Sequence, residues 1–155
     1  ELCLSYARHF GESVVVVRLF SVYGAGLRKQ LLWDACLKLS DSGNTFFGSG
    51  TETRDWLHVR DAASLLLAAS SHAAPEAPVL NGGTGRGVAV GDVIGELFSC
   101  FGRTDTPRFS GVTRSGDPLH YVADMSRLRE WDWRPRVPWR EGVREYAAWF
   151  RAGAP

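Results

Sequence analysis

Apolar residues at helical spacing alternate along the chain with short apolar runs typical of β-strands. Leu2, Tyr6 and Phe10 recur every four residues and predict a helix that ends at Gly11. The run SVVVVRLF, residues 13–20, is apolar without alternation. A parallel strand buried on both faces of its sheet has this pattern. The chain therefore opens with a predicted helix and a predicted buried strand.

The remaining pattern continues the alternation of helices and strands. Helices are predicted over residues 27–40, 61–71, 90–101, 125–131 and 139–151, and strands over residues 45–47, 55–59 and 78–81. Asp61 and Asp124 are expected to cap the helices that begin there. This alternation predicts an α/β fold. Because one strand has a fully buried pattern, the sheet is either small or shared with strands outside this sequence.

The composition narrows the class of protein. The chain has 155 residues, 45% hydrophobic and 23% charged, which fits one ordinary globular domain. No apolar run approaches the roughly 18 residues of a membrane-spanning helix. The net charge of +1 provides no field that would hold nucleic acid or an anionic membrane. We therefore expect neither nucleic acid nor a membrane as a partner.

The cysteines and histidines indicate no metal site. Cys3, Cys36 and Cys100 are far apart and no CxxC occurs, so neither a disulfide framework nor a zinc site is predicted, and a reducing cytoplasm is expected. The four histidines lack metal-ligand spacing, and His58 is expected to be a packed or rim residue beside Trp56.

The segment NGGTGRGV, residues 81–88, is a candidate dinucleotide loop that fails the required spacing. In a GxGxxG loop that starts at Gly83, the third glycine would stand at Val88. We interpret the segment as a flexible turn.

Two charged clusters are the candidate binding residues. Arg54 follows a polar loop at the start of a predicted strand, where it could fork onto a phosphate or form a surface pair with Asp55 or Glu52. Arg114 and Asp117 flank a glycine turn. The two arginines and Asp117 together would make a clamp for a diphosphate and a ribose. The alternative is a surface turn with its own Arg–Asp pair.

Five segments in sequence resemble a known family. They are VVVVRLFSVYGAG, RDWLHVRDAA, NGGTG, RSGDP and ADMSRLREWDWRPRVPWREGV. Their order and spacing resemble the C-terminal half of the NAD-dependent epimerase/dehydratase family, the extended short-chain dehydrogenases/reductases that act on nucleotide sugars and include UDP-glucose 4-epimerase. The resemblance implies the C-terminal part of a Rossmann-like α/β fold with its smaller substrate-binding subdomain. Residues 1–24 would be the remnant of the NAD-binding part, and residues 25–155 mainly the substrate-binding part.

The resemblance also assigns roles to residues. In the family, the segment after RLF passes the nicotinamide and the substrate, which makes Phe20 and Val22 cofactor-binding and Ser21 substrate-binding, although the family usually has asparagine at the position of Ser21. Arg54 and Arg114 match diphosphate contacts. Asp117 matches the ribose ligand, and no catalytic residue is matched.

Two family features are absent from this sequence. It contains no GxxGxxG loop, and none of its four tyrosines is followed by lysine in a Tyr-x-x-x-Lys pair. Glu1 matches a glutamate that follows the family's catalytic lysine by four residues, so the chain is expected to begin just after that lysine.

The resemblance implies that this chain is the nucleotide-sugar-binding half of an NAD-dependent epimerase or dehydratase. This half is expected to be inactive alone, and the complete enzyme is expected to be a homodimer. The alternatives are a non-catalytic nucleotide-sugar-binding or regulatory module, and a reductase of the same superfamily.

Overall fold

Five helices and eight short strands alternate along the part of the chain that the structure describes. The computed structural model describes residues 1–112 and 116–153, so Arg114 lies outside the described residues. The helices are α1 Leu2–Phe10, α2 Gln30–Ser40, α3 Val59–Ser70, α4 Val90–Cys100 and α5 Trp139–Arg151, with a 3₁₀ turn at Ser126–Leu128. The strands are β1 Val16–Leu19, β2 Ser21–Tyr23, β3 Thr45–Phe46, β4 Thr53–His58, β5 Val79–Gly82, β6 Gly87–Ala89, β7 Arg108–Phe109 and β8 His120–Tyr121.

The strands form three small sheets, and four of the five strand pairings are parallel. Strand β1 pairs with β5, and β3 pairs with β7, both in parallel. In the largest sheet, β4 pairs in parallel with β2 and β8 and antiparallel with β6. The predicted α/β class is confirmed, and β4 is the strand on which this largest sheet is built.

Two hydrophobic cores lie on opposite faces of β4. The first is formed by side chains of α2, α4, α5 and the β2–β4–β6 sheet and includes Trp56 and Tyr146. The second includes Leu57, Leu65 and Leu80 and extends to the 3₁₀ turn. Because neighbouring residues of a strand point to opposite faces, Trp56 enters one core and Leu57 the other.

The prediction that the first strand is buried on both faces is wrong. Val17 packs against the second core, but Arg18 and Leu19 are exposed, Leu19 to 38%. The β-branched residues do form a strand, which bonds to β5. Burial on both faces also requires a covering layer on each face, which residue pattern alone does not reveal.

The start of α3 also differs from its prediction. Its cap is His58, whose Nδ1 accepts a hydrogen bond from Arg60 N at 3.3 Å. Asp61 lies buried inside the first turn and accepts hydrogen bonds from the backbone N–H groups of Arg136 and Val137, both at 3.0 Å. The carboxylate therefore ties α3 to the segment before α5 rather than capping its own helix.

The other helices lie within their predicted ranges, whereas strands β2, β6, β7 and β8 were not predicted. Gly11 ends α1 with φ of 68°, in the left-handed conformation expected of a C-terminal glycine. Asp124 accepts a hydrogen bond from Ser126 N at 2.9 Å, but the helix that follows is shorter than predicted. Among the described residues, no helix has the length and apolarity needed to cross a membrane.

Candidate functional site

The junction of β1 and β2 lies beside the start of β4. Ser21 is in register with Trp56 of β4, and Arg54 is in register with Tyr121 of β8. Phe20 stacks on Tyr121 with ring centroids 4.5 Å apart and an angle of 23° between the planes. Tyr121 thus connects the predicted cofactor segment with the predicted phosphate-binding arginine, which lie more than thirty residues apart in sequence.

Arg54 makes no ion pair with any described residue. Its Nη1 donates to Thr53 O at 2.9 Å and to Pro118 O at 2.8 Å. The alternative of a surface pair with Asp55 or Glu52 is therefore wrong. Two carbonyls hold one end of the guanidinium, and its Nε and Nη2 donors have no partner among the described residues, so they can meet an anion.

Glu52 is occupied by its own loop. It accepts hydrogen bonds from the backbone N–H groups of Ser49 and Gly50, both at 2.8 Å. The Ser49 N–H is the main reason that the pKa of Glu52 lies below its usual value. The loop between β3 and β4 therefore holds this carboxylate through its own N–H groups, and Glu52 forms no ion pair with Arg54.

The segment that carries Asp117 is docked along β4. Thr53 N donates to Leu119 O at 2.9 Å, and Thr53 Oγ1 lies 2.9 Å from His120 Nδ1. Asp117 is exposed and immediately precedes Pro118, whose carbonyl oxygen accepts a hydrogen bond from Arg54. Of the predicted clamp, the structure brings Arg54 and Asp117 into one neighbourhood.

Asp55 is the residue of this site whose role the sequence did not reveal. Its side chain is completely buried and has four hydrogen bonds. Oδ1 accepts from the N–H and the hydroxyl of Thr84, both at 2.7 Å, and Oδ2 accepts from Gly85 N at 2.9 Å and Ala123 N at 3.1 Å. The sequence signal was a carboxylate at the start of a predicted strand, followed later by a glycine-rich turn.

These bonds also change the interpretation of the NGGTG segment. Asn81 and Gly82 belong to β5, and the turn after them is held by Asp55. Gly85 has φ of 72°, which favours glycine, so the turn is built for one conformation rather than for flexibility. The same carboxylate binds Ala123, two residues after Tyr121, and so fixes the stretch that carries the Phe20–Tyr121 stack.

Tyr23 and His58 form a buried pair on the other side of the sheet from Asp55. The Tyr23 hydroxyl donates to Trp139 O at 3.1 Å, and burial raises the pKa of Tyr23. His58 packs edge-on against the Tyr23 ring at 5.4 Å, and burial, followed by the charge of Arg60, lowers the pKa of His58. The prediction of a packed histidine is confirmed, and the pair joins β2, β4 and α5.

The comparisons with known proteins agree with this geometry. Residues 1–83 match the model of the NAD dependent epimerase/dehydratase family. The chain is 32% identical over 97% of its length to dTDP-glucose 4,6-dehydratase from Actinoplanes sp., of which it covers 48%.

Two solved structures have the same fold. UDP-glucose 4-epimerase from Thermotoga maritima, determined with UDP-glucose, superposes with a TM-score of 0.81 at 26% identity, over 96% of this chain and 49% of that one. The dTDP-glucose 4,6-dehydratase DesIV from Streptomyces venezuelae, with NAD and TYD bound, gives a TM-score of 0.84 at 24% identity, over 98% and 48%.

The chain belongs to the NAD dependent epimerase/dehydratase family, because the family model covers more than half of its residues. It spans about half the length of the relatives described above.

Proposed function

We propose that this chain is the nucleotide-sugar-binding half of an NAD-dependent epimerase or dehydratase. The observation that carries the proposal is the unpaired guanidinium of Arg54, held by two carbonyls beside the Asp117 segment and the Phe20–Tyr121 stack. Relatives of known structure bind UDP-glucose or TYD.

The diphosphate would lie against Arg54. A guanidinium held through Nη1 keeps its remaining donors in a fixed fork, which suits two phosphate oxygens. Arg114 would contribute a second fork and Asp117 would accept hydrogen bonds from the ribose hydroxyls. This assignment rests on the docking of the Asp117 segment along β4 and on the family resemblance.

The sugar and the nicotinamide would meet at the β1–β2 junction. Phe20 and Ser21 are half-buried there, so both can contact a ligand, and the Ser21 hydroxyl has no hydrogen-bond partner among the described residues. Val22 packs against the second core, so we assign it a backbone contact with the cofactor. The bound NAD would take up a hydride from a sugar carbon and return it later. No GxxGxxG loop or Tyr-x-x-x-Lys pair occurs in this sequence, and we propose that the purified 155-residue chain has no turnover.

Exposed apolar residues favour this proposal over an independent regulatory module. Leu2 is 80% exposed, Tyr6 57% and Phe10 56%, all on α1, and Leu19 of β1 is 38% exposed. An independent module would be expected to cover such a surface. We propose that α1 packs against another part of the complete enzyme, which we expect to be a cytoplasmic homodimer.

The proposal is tested by calorimetric titration of the chain with UDP, dTDP and GDP. Arg54→Ala should weaken binding of the preferred diphosphate at least about tenfold, the usual effect of losing one charged hydrogen-bonding group. Arg54→Lys keeps the charge but loses the forked pair of donors, so its affinity should lie between those of the wild type and Arg54→Ala. Arg18→Ala, an exposed arginine on β1, is the matched control. Equal affinities for wild type and Arg54→Ala would overturn the assignment.

A further inference from the structure

A cavity lies apart from the Arg54 site, between the β4–β6 edge and the segment that leads into α5. Its volume is about 420 Å³, within the range of small-ligand sites. Its lining is Trp56, Thr84, Arg86, Val88, Pro135, Arg136, Val137, Pro138, Trp139 and Arg140. None of the residues assigned above to the nucleotide sugar or to NAD lines it, so this cavity is a separate candidate site.

The cavity has an excess of positive charge. Of its three arginines, Arg140 lies 3.5 Å from Glu96, and that carboxylate also pairs with Arg144 at 2.6 Å. The guanidiniums of Arg86 and Arg136 pair with no carboxylate among the described residues. Two unpaired forked cations at one cavity favour a phosphate or a carboxylate as ligand.

A buried donor of the wall is also unpaired. Trp56 is 6% exposed, and its indole Nε1 has no hydrogen-bond partner among residues 1–112 and 116–153. A buried N–H without a partner costs about 1–3 kcal/mol, so such a group in a native wall calls for an explanation. The Trp56 residue lines the cavity, so a small shift of the wall on binding would bring an acceptor atom of a ligand to this N–H.

The remaining walls are flat and apolar, and the cavity adjoins a helix start. Trp56, Trp139 and two prolines supply ring surfaces, and the Arg140 guanidinium lies 4.4 Å above the Trp139 ring. Trp139 and Arg140 are also the first residues of the 13-residue helix α5, whose N-terminal dipole favours an anion. The walls therefore suit a planar ring attached to an anionic group.

We propose that this cavity binds a nucleoside monophosphate. The phosphate would meet the forks of Arg86 and Arg136, and the base would lie against the tryptophan and proline surfaces. A base carbonyl or ring nitrogen would accept the Trp56 indole N–H. The site is independent of the nucleotide-sugar site, since it shares no assigned residue with it.

The test uses Arg54→Ala as background, which removes the proposed diphosphate contact. UMP and AMP are titrated into this variant at low ionic strength, with uridine and inorganic phosphate as partial ligands. One saturable site is expected for a monophosphate. Adding Arg86→Ala and Arg136→Ala should weaken binding at least about tenfold, because two charged contacts are lost. Both side chains are exposed, so this variant should fold normally, which circular dichroism verifies.

Two further variants distinguish a built site from general attraction to positive charge. Adding Arg8→Ala and Arg18→Ala to the same background removes equal charge from exposed positions elsewhere and should change affinity less than about twofold. Trp56→Phe should weaken the nucleotide several-fold while leaving inorganic phosphate unchanged, because only the base would use the indole N–H. Absence of saturable monophosphate binding, or equal losses in the two double-arginine variants, would overturn the proposal. Failure of the Arg54 assignment would instead show as unchanged diphosphate binding in Arg54→Ala alone.

Discussion

Removal of the Asp55 carboxylate should destabilise the whole chain, because two separate segments, residues 84–85 and the stretch at Ala123, donate hydrogen bonds to it. Asp55→Ala would leave the N–H groups of Thr84, Gly85 and Ala123 without their acceptor in a buried place. Each hydrogen bond to a charged group contributes about 1.5–3 kcal/mol, and partial relaxation or entry of water recovers part of the sum. We expect a loss of about 3–5 kcal/mol in the free energy of unfolding.

Asp55→Asn separates the loss of charge from the loss of volume. The amide oxygen can still accept from Thr84, but its NH₂ group would face the N–H groups of Gly85 and Ala123, which are also donors. The expected loss is about 2–4 kcal/mol. A carboxylate that only filled space would tolerate this nearly isosteric change.

The assay is equilibrium unfolding in urea, followed by tryptophan fluorescence and circular dichroism. Asp132→Ala is the matched control, because Asp132 is exposed, and we expect less than about 0.5 kcal/mol from it. A loss below about 1 kcal/mol for both Asp55 variants would contradict this expectation, since it would mean that the four hydrogen bonds contribute little net stability.

Three further predictions use other parts of the structure. In Gly142→Ala the new methyl would lie 2.8 Å from the His58 ring and also against a tyrosine hydroxyl, so we expect the free energy of unfolding in urea to fall by about 1–3 kcal/mol. The methyl of Gly95→Ala meets no described atom within 4 Å, so this control should raise the free energy of unfolding by about 0.5–1 kcal/mol. Equal effects of the two substitutions would contradict this packing. Burial raises the pKa of the Cys36 thiol to about 12. A thiol reagent at mildly alkaline pH should therefore label the exposed Cys3 rapidly and Cys36 only on unfolding. Rapid labelling of Cys36 in the folded chain would contradict its burial. Burial lowers the pKa of His58 in the folded chain, so the stabilising contribution of His58 is complete above its ordinary pKa near 6.5 and is lost as the pH falls below that value. His58→Asn should therefore make the free energy of unfolding less dependent on pH in this range. The same pH dependence in both proteins would contradict this prediction.

The elements of the fold could be predicted from local pattern, but their layering could not. Apolar spacing at Leu2, Tyr6 and Phe10 predicted α1, and β-branched residues predicted β1. Which faces are covered depends on packing between distant segments, so the predicted double burial of β1 was wrong. The cap of α3 shows the same limit, because Asp61 is engaged by backbone groups from before α5 rather than by its own helix.

In the candidate site, the exposed charged residues could be predicted from the sequence, whereas the residues that position them could not. Arg54 and Asp117 stood out because charged residues beside glycine turns suggest anion binding, and the structure docks their segments together. The role of Asp55 is decided by three partners, 29 to 68 residues away in sequence, and no local spacing encodes them. Tyr121 likewise became part of the site only through its stack on Phe20.

The most direct test of the proposed function is a nuclear magnetic resonance titration of the isotope-labelled chain with dTDP-glucose and UDP-glucose. We expect shifts at the Arg54 Nε–H, at the backbone amides of Gly116 and Asp117, and around Phe20 and Ser21, with the amides of α4 unchanged. Arg54→Ala should abolish these shifts at the same ligand concentration. Shifts elsewhere with an unperturbed Arg54 side chain, or no shifts at saturating nucleotide sugar, would contradict the assignment of this chain as a nucleotide-sugar-binding half.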